Sequence, residues 1–243
     1  MGRLYKCIVT AATLMFIGHY VYAQTVTGYY ISNGSKISYS FKPVAFQLDP
    51  NSYPDMSGSI DNSYGYINFK NNFRQIADSA IIIAAAVLNS QEFRDSIAKY
   101  TFPCKNYLDN CRSKCSDCNH DEIPTKVILD SLYREKRKPI RLIMHNDGDC
   151  DDGGSFGYSY ENDFEVNSHY ITIHCDDTLS FAYKYGYHLA HEYMHIVGFY
   201  HYLPPRRRIR YKDIAEATGW IAYYIVKRWK ENNIPILGLE AVK

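Results

Sequence analysis

Two histidines four residues apart, His191 and His195, are the residues whose types and spacing most clearly indicate chemistry. Residues at positions i and i+4 lie on one face of an α-helix, so a helix through this stretch brings both imidazoles to a single metal ion. Glu192 directly follows the first histidine, where its carboxylate can reach water at an open coordination position. The pattern therefore predicts a metal site with its own general base.

A third ligand follows after a glycine. Gly198 suits the left-handed cap at which a chain leaves a helix, and the resulting turn brings His201 back toward the first two histidines. Three protein ligands and one open position are typical of catalytic rather than structural zinc. Two alternatives stay open: an amphipathic helix with surface histidines, and a metal site that has lost its activity.

Hydrophobic periodicity indicates the elements that must position these residues. Predicted helices cover 71–99, 125–135, 179–197 and 213–231, and predicted strands cover 139–144 and 169–174. The first helix has the strongest signal, because no Pro or Gly interrupts its apolar residues, which are Phe73, Ile76, Ala80, Ala84 and Val87. Asp176-Asp177-Thr178 supplies a cap before the motif helix. We expect an α+β fold.

The front of the chain is polar, rich in Tyr and strand-like. Residues 28–31 and 36–41 flank Asn33-Gly34, a dipeptide that favours a tight hairpin turn. The stretch 49–63 contains Pro and Ser and is typical of a linker. We therefore divide the chain into an N-terminal strand-rich segment or short pro-segment at 24–66 and a main domain at 67–243, which holds the metal motif.

Residues 1–23 have the features of an export signal. Arg3 and Lys6 give a short basic start, an apolar run extends over 7–18, and Ala23 is a small residue of the kind that signal peptidases recognise. This predicts a mature chain that starts at Gln24 and is secreted or periplasmic, and an uncleaved membrane anchor is the alternative. No later stretch has the length of a membrane helix.

Charge gives little indication of a partner. The formal net charge is +1, which gives no reason to expect nucleic acid. One basic cluster stands out, formed by Arg206, Arg207, Arg208, Arg210 and Lys212. We interpret it as a solvated loop, with recognition of an acidic partner as the alternative.

Cleavage of the export signal would remove Cys7 and leave six cysteines, which are Cys104, Cys111, Cys115, Cys118, Cys150 and Cys175. An even number in an exported chain predicts disulfides, and a pair between Cys150 and Cys175 would join the ends of the two predicted strands. A second, structural zinc at Cys111, Cys115 and Cys118 with His120 is the alternative.

An acidic loop at 147–154 separates the two predicted strands. It lacks the ligand spacing of a helix-loop-helix calcium site, including the closing Glu. We expect a solvated turn, and a calcium ion is the weaker alternative.

The segment 191–201 has the form H-E-x-x-H-x-x-G-x-x-H and resembles the signature of the metzincins, a group of zincin metallopeptidases. The order of a long helix, strands and a motif helix is also similar to zincins, so the resemblance covers about 71–201. It implies a zincin-like domain with a small twisted sheet, a long backing helix and an active-site helix. It further implies that the three histidines bind one catalytic Zn²⁺ and that Glu192 is the catalytic residue.

The chain departs from the metzincins beneath the metal. Those enzymes carry a methionine turn after the third ligand, whereas none of the five methionines here follows His201. We expect the segment 216–220 to form the floor of the site instead. We expect a packing role for Tyr211, with donation of a hydrogen bond to the oxyanion as the alternative. His188 shares the helix stripe of the ligands and is expected to be structural, because a fourth ligand would close the open position.

These features predict an exported zinc-dependent endopeptidase in which Glu192 is the general base for zinc-activated water. The expected partner is a protein or peptide substrate, with no nucleic acid and no membrane after the signal is removed. Two alternatives are a zinc amidase acting on a non-protein amide and a non-catalytic binding module on a zincin scaffold. Retention of Glu192 favours an enzyme, because a structural site has no need of a base.

Overall fold

The structure is a computed structural model and describes residues 25–32, 34–55, 64–106, 122–134, 139–145, 156–158, 165–169, 181–201 and 211–236. The helices are α1 (Tyr64–Asn89), α2 (Gln91–Ile97), α3 (Thr125–Leu132), α4 (Phe181–Ile196) and α5 (Ile214–Glu231). The strands are β1 (Val26–Ser32), β2 (Ser35–Phe41), β3 (Tyr53–Asp55), β4 (Phe102–Pro103), β5 (Glu122–Ile123), β6 (Arg141–His145), β7 (Phe156–Tyr158) and β8 (Glu165–His169). Helices and small sheets are mixed, so the α+β prediction is confirmed.

The N-terminal hairpin forms where the sequence predicts it. Strands β1 and β2 pair antiparallel, with Ser32 opposite Ser35. Gly34 has a φ of 74°, a left-handed conformation that glycine adopts without steric strain. Tyr30 and Phe41 of the hairpin are buried in the main hydrophobic core. The hairpin therefore packs onto the same core as the metal-motif helix.

A four-stranded sheet in the order β3-β6-β8-β7 corrects one prediction from the sequence. The expected linker at 49–63 is wrong at 53–55, because β3 pairs in parallel with β6 and places Tyr53 opposite Ile143. Pro54 is tolerated there because β3 lies at the edge of the sheet, where a missing N–H breaks no ladder. Strand β8 ends at His169, where the predicted strand begins, and residues 170–174 lie outside the described part.

The predicted helix at 71–99 is two helices. Helix α1 starts earlier than expected, and the chain bends by 62° before α2. At the bend, the Ser90 hydroxyl accepts a hydrogen bond from the Phe93 N–H at 3.0 Å and donates one to the Val87 carbonyl at 2.7 Å. Ser90 therefore caps α2 and ends α1.

None of the described helices alone is long and apolar enough to cross a membrane. Only residues 72–89 and α2, taken together across their bend, meet the length and composition required.

Helix α4 packs between α1 and α5, and these three helices contribute much of the core. Contacts between Tyr187 and Tyr223, and between His191 and Gly219, show that α4 and α5 run antiparallel. Four apolar residues of α5 are buried, which are Ile214, Ala217, Ile221 and Ile225, whereas Trp229 is partly buried. The motif helix is thus held on two sides by other helices.

Several predictions fall on residues outside the described ones: the signal at 1–23, the acidic loop at 147–154 and most of the basic cluster. Of the six cysteines, only Cys104 is described, and it is disulfide-bonded. Both the connectivity and the second zinc at Cys111, Cys115 and Cys118 stay predictions. So does the division of the chain at residue 66.

Candidate metal centre

Helix α4 presents the first two histidines on one face. The ring centroids of His191 and His195 lie 5.2 Å apart, as their spacing of four residues requires. The helix is anchored through Tyr193, which meets the ring of Phe46 edge-on with centroids 4.8 Å apart, and burial raises the pKa of the Tyr193 phenol. Two of the residues between the histidines, Tyr193 and Met194, therefore belong to the core.

A Schellman turn ends α4 and redirects the chain. The Phe199 N–H donates to the Met194 carbonyl and the Gly198 N–H donates to the His195 carbonyl, both at 2.9 Å. Gly198 has a φ of 101°, a backbone conformation that residues with a side chain adopt only with strain. The reversal brings the His201 ring to 4.6 Å from the ring of His195 and 5.1 Å from that of His191, measured between centroids.

The three histidines form a group able to hold a metal ion. Their ligand atoms all lie within 4.8 Å of one another. Two of the rings are oriented through Nδ1: that of His195 donates to the Phe199 carbonyl at 2.6 Å, and that of His201 donates to Asp213 Oδ2 at 2.9 Å. With Nδ1 used in this way, Nε2 is the nitrogen that each of these two rings offers to a metal.

Glu192 lies beside the three candidate ligands, inside the protein. Its side chain is 2% exposed, and its Oε1 is 3.9 Å from Nε2 of His191. The same oxygen is 3.8 Å from Nε2 of His188, whose ring lies nearly parallel to that of His191. His188 is buried and lies outside the three-histidine group, in agreement with the structural role expected for it.

Helix α5 packs against the three-histidine group at His191. A Cβ on Gly219 would lie 3.2 Å from both Cβ and Nδ1 of His191, so the helix backbone approaches this ligand closely. Gly219 belongs to the segment 216–220, which the sequence nominated as the floor of the site. At this position the backbone of α5 lies against the His191 side chain.

Two further residues were missed by sequence reasoning. Asp213 accepts the hydrogen bond from His201. Asn106 is fully buried and lies between the chain segments next to Asp213 and His201. A signal existed for Asp213, because Asp just before an apolar helical pattern is a common N-cap. For Asn106 there was none, since the partners that link it to Asp213, which are Lys212 and Ile214, lie about a hundred residues further along the chain.

Tyr211 makes a packing contact with another tyrosine. Its ring stacks on that of Tyr100, with centroids 4.7 Å apart and planes 7° from parallel, and the residue is 40% exposed. This contact supports the packing role and gives no support to the role of oxyanion donor.

Comparisons of the chain with protein family models, with curated proteins and with solved structures found no match.

Proposed function

We propose that this chain is an exported zinc-dependent metalloendopeptidase with a zincin-like catalytic domain. The signal-like start and the even set of cysteines support export. The resemblance of 191–201 to the metzincin signature supports the zincin assignment. The main support is the convergence of three histidines with a buried carboxylate between two of them in sequence.

The donor set fits zinc. Zinc binds imidazole nitrogen at about 2.0–2.1 Å, so tetrahedral ligands lie roughly 3.3–3.4 Å apart. Ligand atoms grouped within 4.8 Å are within reach of one such ion. Three neutral nitrogen ligands leave a fourth position for water or substrate, the arrangement of catalytic zinc. When bound, zinc would polarise a substrate carbonyl and make water more acidic.

Glu192 supplies the acid–base chemistry. As water attacks the scissile carbonyl, the carboxylate accepts its proton, and it then delivers that proton to the leaving amine. Oε1 lies 3.9 Å from Nε2 of His191, so the carboxylate is next to a residue that would hold the metal. Burial keeps this carboxylate away from bulk solvent. This adjacency of base and ligand is the one observation that carries the proposal, because a purely structural metal site does not need it.

Glu192→Gln tests the proposal with little change in shape. We expect zinc to be retained at about one ion per chain, while hydrolysis of a peptide library falls roughly 10²–10⁴-fold, the range typical of a lost general base. Zinc content is measured by elemental analysis after gel filtration, and hydrolysis by mass spectrometry with and without a chelator. Glu231→Gln, at the exposed end of α5, controls for the loss of one negative charge.

Each outcome discriminates between functions. Chelator-sensitive cleavage that disappears in Glu192→Gln supports the endopeptidase. Zinc binding without cleavage of any peptide favours the amidase or the binding module, and hydrolysis of non-peptide amides then separates these two. Undiminished turnover in Glu192→Gln would refute the assignment of the base.

A further inference from the structure

Asp213 joins the start of α5 to the third candidate ligand. It precedes Ile214, the first residue of the helix, and is 1% exposed. Its Oδ1 accepts from the Glu216 N–H at 3.1 Å, which caps the helix, and its Oδ2 accepts from Nδ1 of His201 at 2.9 Å. One buried carboxylate therefore serves a helix terminus and an imidazole at the same time.

Asn106 fixes the backbone on both sides of this pair. Its backbone carbonyl accepts a hydrogen bond at 2.8 Å from the N–H of Tyr200, the residue before His201. Its side-chain Nδ2 donates to the Lys212 carbonyl at 3.0 Å and its Oδ1 accepts from the Ile214 N–H at 3.1 Å, on the two sides of Asp213. The carboxylate and the imidazole are thus held in position by the fold.

We propose that Asp213 is a positioning residue that holds His201 in the tautomer with the proton on Nδ1. A carboxylate only accepts hydrogen bonds, so the nitrogen facing it must carry the proton. The lone pair then resides on Nε2, the nitrogen that remains to bind a metal together with the other two histidines. The inference rests on the proposed metal centre and adds that the N-terminus of α5 decides which nitrogen of His201 binds metal.

The partner's charge distinguishes this ring from its neighbour. His195 donates through Nδ1 to a backbone carbonyl, whereas His201 donates to a side chain that substitution can change. The charge-assisted hydrogen bond to a carboxylate is also the stronger of the two types. Of these two histidines, His201 is therefore the one whose tautomer a side-chain substitution can reverse.

Two variants separate positioning from helix capping, because Asn and Ser are both good N-cap residues. Asp213→Asn keeps an oxygen for the Glu216 N–H but turns an amide donor toward His201, which favours the proton on Nε2 and so blocks the ligand nitrogen. Asp213→Ser keeps the cap but is too short to reach the ring. Ser90→Ala removes the cap of α2 and serves as the control for capping alone.

The tautomer is measured first, in metal-free protein, by nitrogen NMR of ¹⁵N-labelled histidine, with the His201 signals assigned from their loss in His201→Gln. We expect the proton on Nδ1 in the wild type and in Ser90→Ala, and on Nε2 in Asp213→Asn. Zinc affinity, measured by competition with a chelator, should fall about 10-fold in Asp213→Ser and about 100-fold in Asp213→Asn, the range found when a ligand's outer partner is lost.

The outcomes are distinct. If Asp213 is only a helix cap, both variants keep the wild-type tautomer and zinc affinity, and the inference is overturned. If the wild type binds no zinc, the proposed function fails, and the tautomer in metal-free protein still decides the role of Asp213. Reversal of the tautomer in Asp213→Asn with an unchanged unfolding temperature is the result that supports positioning.

Discussion

The motif helix α4 packs against α1 on one side and α5 on the other. Each of the two helix contacts contains a glycine, but the two glycines have different neighbours. On the α1 side, a Cβ on Gly186 would lie 2.6 Å from Cγ2 of Ile83. On the α5 side, a Cβ on Gly219 would lie 3.2 Å from Nδ1 of His191. Both glycines let two helix backbones approach closely, but one faces an isoleucine and the other faces a candidate metal ligand.

The difference separates stability from ligand geometry. Around Gly186 the neighbours are Ala80 and Ile83, both fully buried, so this contact contributes apolar burial and close packing. On the opposite side, His191 meets Gly219, and one turn away Tyr187 meets Tyr223 edge-on with centroids 5.4 Å apart. A disturbance there moves an imidazole. We therefore expect mutations on the two sides to affect different measurements.

The largest effect is expected from His191→Ala, which removes a ligand on the α5 side. Structural zinc sites with four ligands bind with about 10–16 kcal/mol, so one ligand contributes roughly 3 kcal/mol and its loss lowers affinity by at least about 100-fold. At free zinc near 1,000 times the wild-type Kd, stabilisation by the metal should drop from about 4.1 to about 1.4 kcal/mol. Thermal unfolding in zinc buffers measures this directly.

The control for this variant is Tyr187→Phe. It lies one turn earlier on the same side of α4 and keeps the ring that meets Tyr223, so zinc affinity should not change. Metal-free His191→Ala is unfolded in parallel, because its side chain is only 16% exposed and the loss of packing must be separated from the loss of metal binding. Equal stabilisation of His191→Ala and wild type by zinc would show that this ring is not a ligand.

A smaller effect, on stability alone, is expected from Gly186→Ala. Alanine in a helix normally gains about 1 kcal/mol over glycine. Here the new methyl group meets Ile83, whose branched side chain is stiff and fully buried, and overpacking costs about 1–3 kcal/mol. We expect the metal-free free energy of unfolding to fall by up to about 2 kcal/mol, measured with denaturant, with zinc affinity unchanged. Lost zinc binding at wild-type stability would contradict the separation.

Much of this arrangement could be predicted from local patterns. The predicted helix at 179–197 is observed at 181–196, and that at 213–231 is observed at 214–231, because apolar periodicity and caps are encoded in neighbouring residues. The three-histidine group likewise follows from helix spacing and one glycine turn. Zinc as the metal, and catalysis at Glu192, stay predictions from the motif.

The features that escaped prediction depend on distant partners. Apolar residues continue on both sides of the bend at Ser90, with Val87 and Phe93 fully buried, so periodicity did not show the break. Strand β3 is three residues long and exists because it pairs with β6, about ninety residues away. Asp213 was recognisable as a cap, but its contact with His201 depends on how α4 and α5 are brought together.

The smallest expected effect, and the sharpest test of the comparison, comes from Gly219→Ala. The methyl group would meet Cβ and Nδ1 of His191 at 3.2 Å, a contact that the ring can relieve by shifting a few tenths of an ångström. Helix propensity contributes about 1 kcal/mol in the opposite direction, so metal-free stability should stay near the wild-type value. The shifted ring should lower zinc affinity by about threefold to tenfold, less than the 10–100-fold typical when an outer partner is lost entirely. Gly186→Ala, made by the same change on the other side of α4, is the matched control in the same chelator competition. If Gly219→Ala instead destabilises the metal-free protein and leaves affinity intact, α5 supports only the core, and the division between the two sides of the motif helix is wrong.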